Sequence, residues 1–599
     1  MDKNTILAIG IIFVIVLAFQ FIFLRPRLRQ LQEQQVQQEE VIPEERSIEE
    51  PSVAEEEEEI EETRTVVEDI VTPEGAPEEK IVTVDTDNYL VNISTAGGSI
   101  TSFKLKNYLD SNDAPVELVG EYDEMDILPF DVYFNRLGNI TPGERDLYHV
   151  EMLSDTAYTF YRDFQDDNGN PFRLSKSYYF QNNEYVFDLK IKVTSLGSDD
   201  LFINRNNVSY TLAWGPLLGP TSVVRNRYNI TTQGYHEGGK FHKVLRGAGG
   251  CSLRRSEAKY IEISRVINWI GVTNRYFFIG VIPDQKNYIF SFDQRTQGKY
   301  AFGVSHPYFR GYEFEDEYKI YTGPKDRTLL KKYGNDFESV KSARVLKPIV
   351  IFLEIMIKFF YRFTNSYGVA IILMTIVIKV ILHPLTRKSF QSMRRMSALQ
   401  PKITELRDKY KNDPQGLNKA TSALYKKEKV NPMGGCLPMI LQLPIFYALY
   451  TLLSGMVELR NESFLWIKDL SLPDTVATIK MAVPLLGYKL TDASGVLQGY
   501  TDINILPFVM TGTTLLQSKL TSGGQTAQQG KMMTYLFPIM FFFIFWNMPS
   551  GLVLYWTIQN ILTIGQQYYI DYRLKKKGQI QPDQTKIPEK TKTLYKKRR

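Results

Sequence analysis

Two cysteines in 599 residues exclude a disulfide scaffold, and no CxxC or Cys/His cluster suggests zinc. The five histidines (His149, His236, His242, His306, His383) form no HExxH or HxH pattern and read as loop and interface residues. No GxxxxGK[ST] string occurs, so nothing marks a nucleotide-driven motor. A surplus of one charge is also missing. Lys+Arg is 71 and Asp+Glu is 67, for a net charge of +4, which excludes a global polyanion binder. Mean hydropathy is only −0.23, but that average hides long apolar runs offset by acidic and basic stretches.

What is present is segregated. Residues 6–24 are apolar over a length that spans a bilayer, and they end in Leu24-Arg25-Pro26-Arg27 without the small residues of a cleavage site. Residues 1–27 therefore read as an uncut transmembrane anchor. Residues 28–79 are Gln-rich, then acidic, and read as a disordered linker; the glutamates at 55–59 read as solvated rather than as a calcium site. Residues 80–340 read as one all-β sandwich domain. Tyr185, Phe187, Leu189, Ile191 and Val193 alternate with Val186, Asp188, Lys190 and Lys192, the period of a half-buried strand. The Gly-rich stretch 215–250 reads as a long loop.

Residues 345–364 are apolar on one side, with Lys347, Glu354, Lys358 and Arg362 on the other, and read as an amphipathic helix in the membrane interface. Residues 365–575 read as a helical core of five transmembrane spans at about 367–385, 436–457, 503–520, 532–546 and 551–570. A basic helical hairpin occupies 386–430. Its stripe Met396, Leu399, Ile403, Leu406, Tyr410 steps by three and four. The span at 532–546 is short, roughly 23 Å against a ~30 Å hydrocarbon core. Residues 576–599 read as a basic tail.

The hairpin carries twelve Lys and Arg residues, and the tail carries Lys575, Lys576, Lys577, Lys596, Lys597, Arg598 and Arg599. The positive-inside rule places both in the cytoplasm, and four spans between them keep the parity. Both termini are then cytoplasmic and the β-domain is outside, with Cys251 and Cys436 on opposite sides. The tail suits anionic lipid or ribosomal RNA, and composition does not separate the two.

Lys379 lies inside the first core span, where a charge costs ~2.5–3.5 kcal/mol on insertion scales. Thr375 is one turn earlier on the same face. Most other polar residues within the spans fall in the cytoplasmic half: Gln442, Gln517, Tyr535, Gln566 and Gln567, with Gln559 and Asn560 near the middle. Two readings fit. A wet cavity open to the cytoplasm explains the shared depth; alternatively Lys379 snorkels to the interface and the rest are interhelical hydrogen-bond partners.

Several strings in the second half carry a resemblance. They are Leu399-Gln400-Pro401-Lys402-Ile403, Leu424-Tyr425-Lys426-Lys427-Glu428-Lys429-Val430-Asn431-Pro432, Gly434-Gly435-Cys436-Leu437-Pro438, Gln442-Leu443-Pro444-Ile445-Phe446, Val457-Glu458-Leu459-Arg460 and Pro549-Ser550-Gly551-Leu552-Val553-Leu554-Tyr555-Trp556. Across about 345–575 the chain resembles the YidC family of bacterial membrane-protein insertases. The anchor and β-domain are similar, by position and pattern, to its long form with a periplasmic supersandwich. The resemblance implies a hydrophilic groove with a positive residue, usually arginine, where this chain has Lys379, and a substrate path along Thr375, Phe446, Tyr555 and Trp556. With the polar residues above, the candidate groove is Lys379, Thr375, Gln442, Phe446, Gln517, Tyr555, Trp556 and Asn560.

The resemblance further implies an inner-membrane protein that is not an enzyme. It needs no cofactor, metal or small-molecule substrate. Its partners are nascent membrane proteins, the ribosome, Sec translocon components and the lipid bilayer. The rival reading is a secondary transporter or channel with a large outer domain. It lacks an internal repeat or an outward path in the sequence.

Overall fold

A computed structural model describes residues 78–576. Within that range 220–230, 247–258, 295–299, 342–345, 431–436, 482–485, 492–496, 522–526 and a few isolated positions lie outside the described residues. So do the anchor at 1–27, nearly all of the linker at 28–79, both cysteines, and Lys577, Lys596, Lys597, Arg598 and Arg599.

The strand with period two is Val186–Ser195, and Phe187, Leu189, Ile191 and Val193 are fully buried along it. It is a central member of a nine-stranded antiparallel sheet. From one edge the order is Lys240–Arg246, Thr232–Glu237, Trp269–Thr273, Phe277–Pro283, Glu313–Pro324, Val186–Ser195, Pro171–Tyr179, Ala157–Gln165 and His149–Ser154. In register, Leu189 sits opposite Tyr318 on one side and Tyr178 on the other. A five-stranded sheet around Leu201–Trp214 and Tyr300–Gly311, and a four-stranded sheet from Ile81 to Glu117, complete the domain. All three sheets contribute to one aromatic-rich core that includes Phe103, Phe187, Trp214 and Phe292. Period-two apolar faces meeting across sheets are what a sandwich requires.

Two expectations are corrected here. The stretch 215–250 holds a hairpin, Thr232–Glu237 with Lys240–Arg246. Gly238 and Gly239 form its turn at φ +55° and +73°, the double-positive pair that two-residue hairpin loops favour. The histidines do not sit in loops: His149, His236, His242 and His306 lie on strands, and His383 lies in a helix.

The sandwich core holds buried charges. Lys176 is fully enclosed, and its ammonium donates to the carbonyls of Gly97 at 2.8 Å and Phe130 at 2.6 Å. Burial pulls it down to about 7, against an opposing pull from Asp131. Lys325 is likewise pulled down to about 7 by burial and donates to the Asn274 carbonyl at 2.8 Å.

The helices follow. They are α1 (Arg327–Lys332), α2 (Lys347–Thr364), α3 (Tyr367–Ala398), α4 (Gln400–Lys409), α5 (Pro414–Lys427), α6 (Leu437–Gly455), α7 (Leu506–Thr521), α8 (Ala527–Phe545) and α9 (Ser550–Lys576). Asp326 caps α1 by accepting from the amides of Thr328 and Leu329. Asn365 ends α2 at φ +47°, with its N–H on the Tyr361 carbonyl. By length and composition one described helix, within Tyr367–Met396, is long and apolar enough to cross a membrane, and Thr534–Phe545 is a shorter apolar helix.

Three further readings are adjusted. α3 does not stop at 385: it continues to Ala398 with Pro384 inside it, so only α4 and α5 form the separate hairpin, closed over Leu399, Ile403 and Val430. The helix covering 532–546 begins at Ala527 and has 19 residues, so only its apolar part is short. Ile503 and Asn504 belong to a strand, Leu497–Asn504, of a three-stranded sheet between α6 and α7.

The middle of the charged face of α2, Glu354 and Lys358, turns toward protein, while Lys347 and Arg362 near its ends are exposed. Glu354 receives Arg327 at 3.0 Å, Lys341 at 3.7 Å and Lys358 at 3.6 Å. Lys358 also reaches Asp326 at 2.7 Å and Glu458 at 2.8 Å. Three cations and three anions thus tie the end of the β-domain, α2 and the segment after α6 together. Burial raises Glu458 and opposes ionisation of Asp326, but the hydrogen bond and charge of Lys358 hold Asp326 well below the usual carboxylate range. Around this node Arg275 donates to the carbonyls of Ser454 and Ser471, Tyr276 reaches Ser471 at 3.0 Å, and Asn461 donates to the carbonyls of Leu109 and Asp110. The opposite face of α2 leaves Phe352, Ile355, Phe359 and Phe363 exposed.

The segment 462–475 gathers one end of the bundle. Its carbonyls at Leu472 and Leu470 accept the first amides of α9, from Ser550 at 2.7 Å and Gly551 at 2.9 Å. Asp474 accepts the Leu506 amide at 2.6 Å and so caps α7. Phe464 packs against Gly368 at the start of α3, where any Cβ would collide with the ring.

Candidate functional site: a polar seam inside the helical bundle

The seam is built on α9. Tyr555, Asn560, Thr563 and Gln567 recur at helical spacing and are all buried, although a helix through an apolar medium has no reason to carry them on one side. Over the 12 residues from Tyr555 to Gln567 the seam runs about 18 Å.

Each of these four side chains meets a polar group on a neighbouring helix. Lys379 of α3 is 8% exposed and its ammonium donates to the Thr563 hydroxyl at 2.6 Å. That hydroxyl donates in turn to the Gln559 carbonyl at 2.6 Å. Among the described residues no carboxylate lies within ion-pair distance of Lys379. One turn away on the same face, Thr375 is fully buried and donates to the carbonyl of Ile371. Further along α3, Gln566 reaches His383 at 2.9 Å and Thr386 at 2.8 Å. Toward α7, Asn560 donates to Thr513 at 3.2 Å and Thr514 at 2.8 Å, and Gln567 donates to the Leu520 carbonyl at 2.9 Å. Toward α6, Gln442 donates to the Tyr555 hydroxyl.

Beside that last pair lies an apolar edge. Phe446 meets Trp556 edge-on at 5.4 Å, and Phe545 and Phe541 close on Trp556 at 5.3 and 5.5 Å. Three buried polar atoms in the same region have no protein partner: Gln559 Oε1, Gln566 Oε1 and Trp556 Nε1. Buried polar atoms are nearly always paired, so orphans grouped along one seam fit a site that water or a polar guest enters.

The candidate residues thus divide. Lys379, Thr375, Gln442, Phe446, Tyr555, Trp556 and Asn560 come together around α9. Gln517 is half-buried on α7, one turn beyond Thr513. Tyr535 is exposed on α8 and stands apart. The Lys379 head meets Thr563 of α9, and Gln442, Asn560 and Gln566 bond side chains of neighbouring helices, as the reading of interhelical hydrogen-bond partners expects. The hydroxyl that receives Lys379 was not among the candidates, although Asn560 and Thr563 share the three-residue spacing of one helix face. Lys576 is exposed on the last turn of α9, and the side chain of Lys575 lies outside the described residues.

No group of His, Cys, Asp or Glu that could hold a metal occurs among the described residues. What the fold and seam define is a protein of two parts: an all-β domain fastened to a helical core whose interior is polar along one helix.

Comparison with known proteins places that class. A family model described as the 60Kd inner membrane protein matches residues 359–579, and one described as the YidC periplasmic domain matches residues 81–342. A protein of Syntrophus aciditrophicus named membrane protein insertase YidC is 33% identical, covering 83% of this chain and 86% of its own. A protein of the same name from Treponema denticola is 29% identical, covering 86% and 90%. A solved structure described as an active YidC insertase overlaps 82% of this chain and 93% of its own at 20% identity, with a TM-score of 0.33. The chain belongs to the YidC family of membrane protein insertases.

Proposed function

We propose that the seam on α9 is where the polar flank of a hydrophobic segment rests on its way from the cytoplasm into the inner-membrane bilayer. Lys379 attracts an acidic flank. Asn560, Gln559 and Gln566 exchange hydrogen bonds with it. Phe446 and Trp556 form the edge over which the apolar part slides into lipid. Burial of apolar surface drives the step, so no nucleotide is consumed and no covalent bond changes. The observation that carries this reading is a buried ammonium answered by a neutral hydroxyl and flanked by orphaned polar atoms. That arrangement leaves the ammonium uncompensated until an anion arrives.

In this reading both termini and the α4–α5 hairpin are cytoplasmic, the β-domain is periplasmic, and α3, α6, α7, α8 and α9 cross the membrane. The twelve Lys and Arg residues between 386 and 430, on the end of α3 and in the hairpin, support that orientation. The exposed apolar stripe of α2 supports an interfacial position for it. Segments arrive from the ribosome or the Sec translocon, and the basic tail holds the ribosome or anionic lipid.

The test is insertion of matched clients differing only in flank charge, scored by protease protection at equal insertase levels. Lys379→Arg retains function, Lys379→Ala impairs acidic-flanked clients most, and Lys379→Glu impairs them further. Equal losses for acidic and neutral flanks refute the attractor.

A further inference from the structure

Outside the seam, the segment 462–475 has an unexplained tip. Phe464 and Ile467 exchange both backbone hydrogen bonds at 2.9 Å, closing a two-residue turn. The turn holds Leu465 and Trp466. Leu465 has φ +55°, a region that branched or bulky residues avoid and that glycine or asparagine occupies readily. It is also 76% exposed, and Trp466 is 42% exposed. Folding gains nothing from a leucine in that conformation and in water.

The tip's surroundings indicate what covers it. Its base is fixed: Phe464 lies on Gly368 at the start of α3, and Ile467 and Leu470 are buried in the bundle core. The Trp466 indole N–H reaches Asp474 at 3.2 Å, and the same carboxylate caps α7. The tip therefore sits level with the first residues of α3 and α7. At that level other large apolar side chains also face outward: Ile505, Phe508 and Val509 around the start of α7, and Phe359 and Phe363 on α2. The tip continues this outward apolar belt. A tryptophan with its ring exposed and its N–H tied to a carboxylate has the amphipathic form that settles at a membrane–water boundary.

We propose that Leu465 and Trp466 form a wedge that dips into the outer leaflet of the bilayer and fixes the depth of the bundle's outer end. The proposal rests on the orientation given under Proposed function.

The test uses the full chain with Cys251 and Cys436 replaced by serine and a single new cysteine, from Leu465→Cys or separately Trp466→Cys, carrying an environment-sensitive fluorophore. The protein is reconstituted in phosphatidylethanolamine–phosphatidylglycerol vesicles. Lipid spin-labelled high on its acyl chain should cut the emission about twofold, while iodide should quench far less than it quenches the same fluorophore free in solution, since the tip sits just below the headgroups. Iodide quenching as strong as for the free fluorophore, with no effect of the spin-labelled lipid, overturns the wedge. Protection from iodide without lipid quenching puts a second protein chain on the tip and also overturns it. An Asp502→Cys variant, labelled with an impermeant maleimide in spheroplasts and in inverted vesicles, reports the face separately. Reaction only from the cytoplasmic side overturns the orientation and the outer-leaflet assignment together. Lipid quenching at 465 or 466 with outer-face reaction at 502 supports both.

Discussion

Glu354 is the residue on which the junction of the two parts most depends. Its side chain is 7% exposed and receives Arg327 and Lys341, each 15% exposed, as well as the more accessible Lys358. Replacing it by alanine leaves Arg327 and Lys341 buried with no carboxylate in direct reach. Removing one member of a buried pair costs ~3–5 kcal/mol. The lower end applies here, because Asp326 and Glu458 remain to hold Lys358 and solvent reaches one side. A loss of about 3 kcal/mol is a factor on the order of 100 in the folded-to-unfolded ratio. The assay is denaturant unfolding of the detergent-solubilised full chain, with Arg327→Met, Glu354→Leu and their combination as a cycle. The combined variant should recover part of the stability that Glu354→Leu loses, because Arg327 no longer needs a partner while Lys341 is still left without one. A Glu354→Ala loss below about 0.5 kcal/mol, or strictly additive single losses, refutes the node as a buried unit and makes it a set of surface pairs.

Burial pulls Lys176 down to about 7 in the folded chain, so the unfolded chain binds the extra proton between that value and the ordinary lysine range. Stability should therefore rise from pH 7 to pH 9, by up to roughly 1 kcal/mol per pH unit for this residue. Lys325 has the same shift. Burial lowers Lys341 as well, so Lys176→Met should reduce the slope in urea titrations without abolishing it; an unaltered slope counts against the assignment. Gly368→Ala forces a Cβ into the Phe464 ring and should cost ~1–3 kcal/mol. Gly512→Ala meets nothing within 4 Å inside α7 and should gain about 0.5–1 kcal/mol. Thermal inactivation of the two variants side by side reads the contrast, and the same sign for both is the refuting result.

The sequence made some elements plain and hid others for physical reasons. Phe187, Leu189, Ile191 and Val193 could be read because burial on one face leaves a period of two. The hairpin at 232–246 was hidden because glycine usually signals a loop. Here Gly234 serves close backbone approach, since a Cβ would strike the His242 carbonyl. Lys379 and Asn560 stood out because charge and amide are costly in an apolar run. Thr563 did not, because a threonine that back-bonds its own helix is common. Only the crossing of α3 and α9 makes it a partner. Glu354 and Lys358 were visible as the polar face of an amphipathic helix. Water and a charged partner surface leave the same pattern, so the sequence could not say which one that face meets.

The gathering of α3, α7 and α9 by the segment 462–475 has a mechanical consequence. With the first turns of α7 and α9 bonded to that segment and Gly368 pressed under Phe464, the helices share a pivot at one end. α9 has 27 residues and extends about 40 Å from it. A tilt of about five degrees leaves the pivot almost still and carries the far end roughly 3–4 Å, nearly the width of an extended backbone. A bundle tied at one end opens like a fan, most at the free end and least at the tie. The hydrogen bonds of Gln566 and Gln567 to α3 and α7, far from the pivot, are the ones such spreading breaks first.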